Sequence, residues 1–350
     1  MTAVRITSTQ PGPIPQRALR GHRPSRPNPR VAAGTEHHAQ LARRLTPRDR
    51  WLARMLAEHK ILTTHHITDL AFPSPRAANL RLHQLYRWRV LDRFQPHLTT
   101  GSAPMHYVLD IAGNTALAHE DGLDPRTTGY RHDREIGRAY SLQLAHTVAT
   151  NSIFTTLVAH SRQPDATGHL AAWWSPTRCA TYFGDIVRPD GYGRWHQNNT
   201  EIEWFLEYDF GTEPLAKLAS KLHGYHQLAL TTDLTTPLLI WLPTTRRETT
   251  ARRALETALT ALDHPHLLPI ATTATDTSPA RRTDATTARW RPLTTSRPGR
   301  LPLIDLAEAL RVNPPTGTGH RPDPVATPQR AHEPLPPPPT PPPPIRYPLP

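Results

Sequence analysis

Apolar residues along this chain recur first at helical and then at strand spacing. Trp51, Leu52, Met55 and Leu56 fall on one face of a helix that Thr46-Pro47 opens, with Thr as N-cap and Pro in the first turn. Thr63 or Thr64 caps a short second helix holding Ile67 and Leu70, which ends at Phe72-Pro73. Ser74-Pro75 caps a third helix running to about Trp88. Val90–His97 and Met105–Asp110 then read as two extended segments joined by a polar, Gly-containing loop. Residues 133–162 form one long helical pattern, with Leu142, Leu144, Ala145, Val148, Ile153, Leu157 and Val158 on its apolar face. Beyond it, Leu170–Trp174, Asp185–Pro189 and Glu201–Phe210 read as strands and Pro214 to about Leu228 as a helix. Pro237–Leu242 reads as a buried strand, Arg246–Leu262 as a helix and Leu267–Thr272 as a last strand. That order, α-β-β-β-α-β-α-β, predicts an α/β domain around a central mixed sheet.

Composition alters the picture at the ends. Residues 1–45 hold six Pro and eight Arg against one acid, which predicts a disordered basic arm. Residues 313–350 hold 16 of the 40 prolines and predict a second disordered tail. Its run Pro336–Pro339, Thr340, Pro341–Pro344 favours polyproline II and reads either as a spacer or as a docking peptide for an aromatic groove. The expected domains are therefore an arm (1–45), a DNA-binding domain (46–120), an α/β domain (130–312) and a Pro-rich tail (313–350).

The net charge of +12 is local. It sits in the arm and in residues 46–115, whereas residues 116–312 balance at 21 basic and 21 acidic groups. A single cysteine, Cys179, excludes an internal disulfide framework and Cys-rich zinc folds. No apolar run reaches membrane-spanning length and no secretory leader is visible, so a cytoplasmic protein without a membrane partner is expected.

Three helices and a hairpin are the layout of a winged helix-turn-helix. In the third helix Ala78, Leu82, Leu85 and Tyr86 face one way, and Arg76, His83 and Arg87, with Asn79 beside them, face the other. Such a face suits base edges in the major groove, while Arg81 and Arg89 are better placed for phosphates. Double-stranded DNA is the expected partner. A solvated basic face on a plain helical scaffold is the alternative. A winged helix alone does not fix dimerisation.

The strand Glu201–Phe210 alternates, so Glu207 and Asp209 share a face. Together with Asp190 of Arg188-Pro189-Asp190 they offer three hard-oxygen ligands suited to Mg²⁺. This pattern resembles the Pro-Asp…(Asp/Glu)-X-Lys nuclease superfamily, whose restriction-endonuclease-like core runs α-β-β-β-α-β. Asp209 stands where that superfamily carries Lys. Lys217 and Lys221, four residues apart on the next helix, are candidates to supply a migrated Lys, and Glu135 stands where some members carry an additional acid. Solvated acids on an alternating strand, beside a routine Pro-Asp turn, are the alternative.

A winged helix followed by Val-Arg-Pro-Asp-Gly (187–191), Phe-Leu-Glu-Tyr-Asp-Phe-Gly-Thr-Glu (205–213) and Lys-Leu-X-X-Tyr (221–225) resembles the replication-relaxation family of plasmids, integrative elements and phages, actinobacterial ones among them. Leu144-Ala145-His146 and Asn151 fit the same resemblance, which covers about residues 44–312. It implies a role in plasmid replication, DNA relaxation or mobilisation, alongside replication or conjugation proteins. It also makes Asp209 a family trait. Two functions stay open: a nuclease-like domain that cuts or nicks DNA with Mg²⁺, and a non-catalytic transcription or replication regulator with a degenerate domain. Histidine spacings give no zinc ligand set, no Walker-type phosphate loop is present, and no Tyr stands with a three-His cluster.

Overall fold

The computed structural model describes residues 14–19, 30–31, 34–98, 101–233, 235–278, 283–294, 299–310 and 335–343. The chain gathers into two compact units, 1–159 with 337–350, and 160–336. Residues 130–159, expected with the second domain, thus pack with the first.

The first unit contains α1 (Thr35–Arg44), α2 (Pro47–His59), β1 (Leu62–Thr63), α3 (Thr64–Ala71), α4 (Pro75–Arg87), β2 (Leu91–Phe94), β3 (His106–Leu109), α5 (Ile111–Glu120), α6 (His132–Gly137) and α7 (Leu144–Ser161), the last carrying the unit boundary. The caps expected from sequence form. Thr46 and Asp49 make a reciprocal capping box on α2, Thr63 and His66 do the same on α3, and Ser74 Oγ accepts from the Ala77 N–H. The three strands form an antiparallel sheet in the order β1-β3-β2. Ile61, Phe94, Val108, Ala139 and Leu144 share one buried cluster. Asn151 on α7 donates to the carbonyls of His59 and Ile61 at 3.3 and 2.8 Å, so its role is to close the loop that ends α2.

Two expectations change here. The last residues of the predicted arm are helical, because Leu41 and Leu45 bury as the apolar side of α1. The first part of the arm, 1–13 and 20–29, lies outside the described residues, as does most of the tail. The predicted long helix over 133–162 is broken into α6, a 3-10 turn at Arg138–Tyr140, and α7. Leu142, counted on its apolar face, is exposed.

The second unit contains β4 (Gly168–Trp174), α8 (Pro176–Phe183), β5 (Gly191–Gln197), β6 (Thr200–Tyr208), α9 (Leu215–Thr232), β7 (Leu238–Leu242), α10 (Thr245–Thr260), β8 (Ile270–Ala274), β9 (Arg291–Pro292) and α11 (Leu306–Ala309). Its mixed sheet runs β4-β5-β6-β7-β8-β9. The first three strands are antiparallel neighbours, β6-β7 and β7-β8 are parallel, and β9 returns antiparallel. Parallel neighbours need a crossover, and α9 and α10 supply the two. β7 is buried at all five positions, as a central parallel strand must be.

The strand expected at Asp185–Pro189 lies instead at Gly191–Gln197. Pro189 has no N–H to give a ladder, so pairing starts after it. Gly191 and Gly193 hide the alternation of the true strand. The β5–β6 hairpin turns on Asn198 and Asn199, at φ of 48° and 63°, the left-handed pair of a tight two-residue loop. Helix α8 was not expected at all. Ser175 caps it, and Cys179 is buried within it.

Candidate functional site

The ladder between β5 and β6 pairs Gly191 with Leu206. One step further along the same register, Asp190 stands opposite Glu207. The Asp190 N–H donates to the Leu206 carbonyl at 3.0 Å, and the Tyr208 N–H donates to Asp190 Oδ2 at 2.8 Å. Backbone bonds on both sides therefore hold this carboxylate at the strand end.

Glu207 is buried. From α9, Lys221 Nζ donates to its Oε2 at 2.5 Å and the Tyr225 hydroxyl donates to its Oε1 at 2.5 Å. Lys221 and Tyr225 are four residues apart, which stacks them on one helix face. The approach of α9 depends on Gly224. A Cβ there would lie 3.0 Å from the Ile186 carbonyl oxygen, in the segment that leads to Asp190.

Two carboxyl groups, Asp190 and Glu207, and one ammonium, Lys221, lie close together here. Burial first, and the neighbouring Asp190 second, push Glu207 up to about 7. Burial alone would lower Lys221, but Glu207 and Asp190 more than offset it, and its ammonium is held above the usual lysine range. The Tyr225 hydroxyl is raised well above its ordinary value by burial and by Glu207.

The other predicted residues of the site divide. Asp209 is not gathered with Asp190 and Glu207. Its Oδ1 accepts from the Gly211 N–H at 2.7 Å and its Oδ2 from Arg247 Nε on α10 at 2.8 Å. Lys217 pairs at 2.6 Å with Glu213, out in solvent. Glu135 belongs to the first unit, where Arg138 donates to it at 2.8 and 3.0 Å. Of the three carboxylates expected together, Asp190 and Glu207 are neighbours and Lys221 joins them, while Asp209 is held elsewhere. Arg247 was not anticipated: it sits 38 residues beyond Asp209, and no local spacing marks it. Tyr225 was legible as the helical neighbour of Lys221.

Among the described residues, the grouping of three metal-ligand types within 4.8 Å of one another is Asp92, Asp110 and His132 in the first unit. Arginines already neutralise it. Arg30 pairs with both aspartates, at 3.2 Å to Asp92, and Arg89 approaches Asp110 at 3.7 Å. It reads as an ion-pair clasp between residue 30 and the start of α5, which Asp110 caps through the Ile111 N–H.

On α4 the described exposure follows the predicted faces. Ala78, Leu82, Leu85 and Tyr86 are buried, and Arg76, Asn79, Leu80, His83 and Arg87 are exposed. Arg81 is turned inward. It donates to Asp49 Oδ1 at 2.9 Å, forms an ion pair with Oδ2 and lies over the Trp88 ring. Arg89 has a φ of 57° just past the helix end, with its guanidinium toward Asp110.

A family model described as Replication-relaxation matches residues 54–239, a span that includes α4, Asp190, Glu207, Lys221 and Tyr225. No curated protein and no solved structure matches the chain. Among the described residues no helix is long and apolar enough to cross a membrane.

Proposed function

The chain belongs to the replication-relaxation family, and from that premise we propose that it is a DNA-binding protein of a plasmid or other mobile element whose second unit is a nuclease-like domain. The family supports a role in replication or relaxation of such an element. Within that role, the first unit is read as a winged helix-turn-helix. Its α4 presents Arg76, Asn79, His83 and Arg87 to duplex DNA, and the β2–β3 hairpin is the wing.

The observation that carries the nuclease-like reading is Glu207, buried beside Asp190 and met by Lys221 from the following helix. The β4-β5-β6 antiparallel strands followed by α9 and the parallel β7 agree with it. Lys221 takes the place left by Asp209 in the motif. A divalent cation fits the pair, because Asp190 and Glu207 set two hard carboxylate groups side by side at the strand end. Asp190 and Glu207 would hold it, and Mg²⁺ there would supply Lewis-acid stabilisation of a phosphodiester under attack. The residues of the chain would orient it. Backbone bonds fix Asp190, and Lys221 and Tyr225 hold Glu207 in one rotamer.

A second reading has its own support. Both Glu207 oxygens are engaged by protein donors and Asp209 is tied to Arg247, which favours a non-catalytic replication or transcription regulator. Nicking of supercoiled plasmid with Mg²⁺ separates the two. The nuclease-like reading expects nicking that Asp190→Asn and Glu207→Gln abolish. No nicking by a chain that binds DNA, or equal nicking by the variants, supports the regulator.

A further inference from the structure

The geometry points to a polyproline-binding site on the first unit, built on Trp51 of α2 and occupied by the chain's own C-terminal proline run. The Trp51 indole Nε1–H donates to the carbonyl of Pro338 at 2.7 Å, across 287 residues of sequence. Pro337 and Pro339, on either side, are buried, while the ring of Pro338 is exposed. Trp51 itself is only 5 % exposed. A segment with no role other than spacing would place its rings in water. This one buries two and spends its intervening carbonyl on an indole.

The chemistry suits the pairing on both sides. A proline run has no N–H, so its carbonyls are acceptors without donors in their own chain, and indole is a donor without an acceptor role. Proline also fixes φ, so little conformational freedom is lost when the segment docks. An aromatic face with one N–H aimed at a prolyl carbonyl is a recurring way to hold polyproline II. The covalent link through residues 311–334 raises the local concentration of the run to the order of millimolar, enough for an intrinsically weak site to stay filled. The site takes a polyproline ligand as a class, and the tail is the one seated on it. The interaction needs neither DNA nor metal, so it stands or falls separately from the function proposed above.

The test uses the full chain with a protease recognition sequence introduced within residues 315–320. After cleavage, retention of the tail fragment by the body is followed across a concentration series that reaches the millimolar range set by the tether. The intact design should retain the fragment reversibly. Trp51→Phe, which keeps a ring and removes the N–H, should weaken retention by about tenfold. Pro337→Gly combined with Pro339→Gly should weaken it at least as much, and these changes leave the body untouched. If far-ultraviolet circular dichroism shows that Trp51→Phe has unfolded the first unit, the tail variant decides alone. Loss of the fragment at every concentration, or identical retention by all folded variants, overturns the proposal.

Discussion

Lys221 reaches from α9 to within 2.5 Å of the Glu207 carboxylate on β6, and its ammonium thereby meets a buried carboxylate while also feeling the charge of the half-buried Asp190. Removing the lysine takes the ammonium away from the buried Glu207. Lys221→Met should destabilise the second unit by about 2 kcal/mol, below the ~3–5 of a fully buried pair because the lysine side chain is about one-third solvent-exposed. Chemical denaturation of the variant against the wild type checks this. The double change Lys221→Met with Glu207→Gln should recover most of the loss, since the charge that lacked a partner is then gone.

The same group sets a pH dependence whose sign is fixed by the direction of its shift. Glu207 is raised from 4.5 to about 7 on folding, so between those values the folded chain holds the extra proton. The contribution is fully present below about 4.5 and is lost as pH rises through about 7. Wild type should therefore lose stability relative to Glu207→Gln between those pH values, by on the order of 1–3 kcal/mol. Denaturation midpoints for the two proteins across that range measure it. A divalent cation bound by Asp190 and Glu207 would displace the proton, so adding Mg²⁺ or Mn²⁺ near pH 7 should release protons from wild type and not from Glu207→Gln.

How much of this was legible in the sequence depends on how local each determinant is. Thr46, Thr63 and Ser74 announce their helices because a cap acts within three residues. The alternation of β6 placed Glu207, and the four-residue spacing of Lys217 and Lys221 put both on one face of α9, of which Lys221 meets Glu207 and Lys217 meets Glu213. Strand β5 was misplaced because Gly191 and Gly193 carry no side chains to alternate. Asp209 was assigned to the metal set because its partner Arg247 comes from a helix that only the sheet order brings near. The Arg30 clasp and the Trp51–Pro338 bond join residues far apart in sequence, and no periodicity foretells such contacts.

Two groups of arginines on and around α4 should part company under mutation. Arg76 and Arg87 are exposed on the outward face. Arg76→Ala and Arg87→Ala should each weaken duplex binding by about 1–3 kcal/mol or, where the contact is to phosphate, lower the salt slope by about one, with no change in the denaturation midpoint. Arg81 is bonded to Asp49, which is 1 % exposed. Arg81→Ala should destabilise the first unit by about 1–3 kcal/mol by leaving that carboxylate short of its cation. Gel shifts at two salt concentrations, paired with thermal melts, distinguish the two behaviours. Equal loss of DNA binding by a fully stable Arg81→Ala would place that side chain on the DNA instead.

Gly224 ties the geometry of α9 to the position of Asp190, and its replacement tests the link. Alanine inside a helix should gain about 1 kcal/mol over glycine from backbone entropy alone. Here its Cβ would meet the Ile186 carbonyl oxygen at 3.0 Å, a backbone atom that cannot rotate aside. Either α9 or the 186–190 segment must yield by a few tenths of an ångström, and the segment has only the Pro189 turn between it and the sheet. Gly224→Ala should therefore forgo the expected gain and leave stability near neutral or slightly reduced. The more telling readout is pH. As Asp190 draws back from Glu207, its repulsion weakens and the Glu207 titration moves down from about 7. The loss of stability with rising pH, which begins near 4.5 in both proteins, should then end at a lower pH and be smaller in the variant than in wild type. A variant that gains the full helix-propensity increment and keeps the wild-type pH profile would show that the close approach at Gly224 does not govern the carboxylate pair.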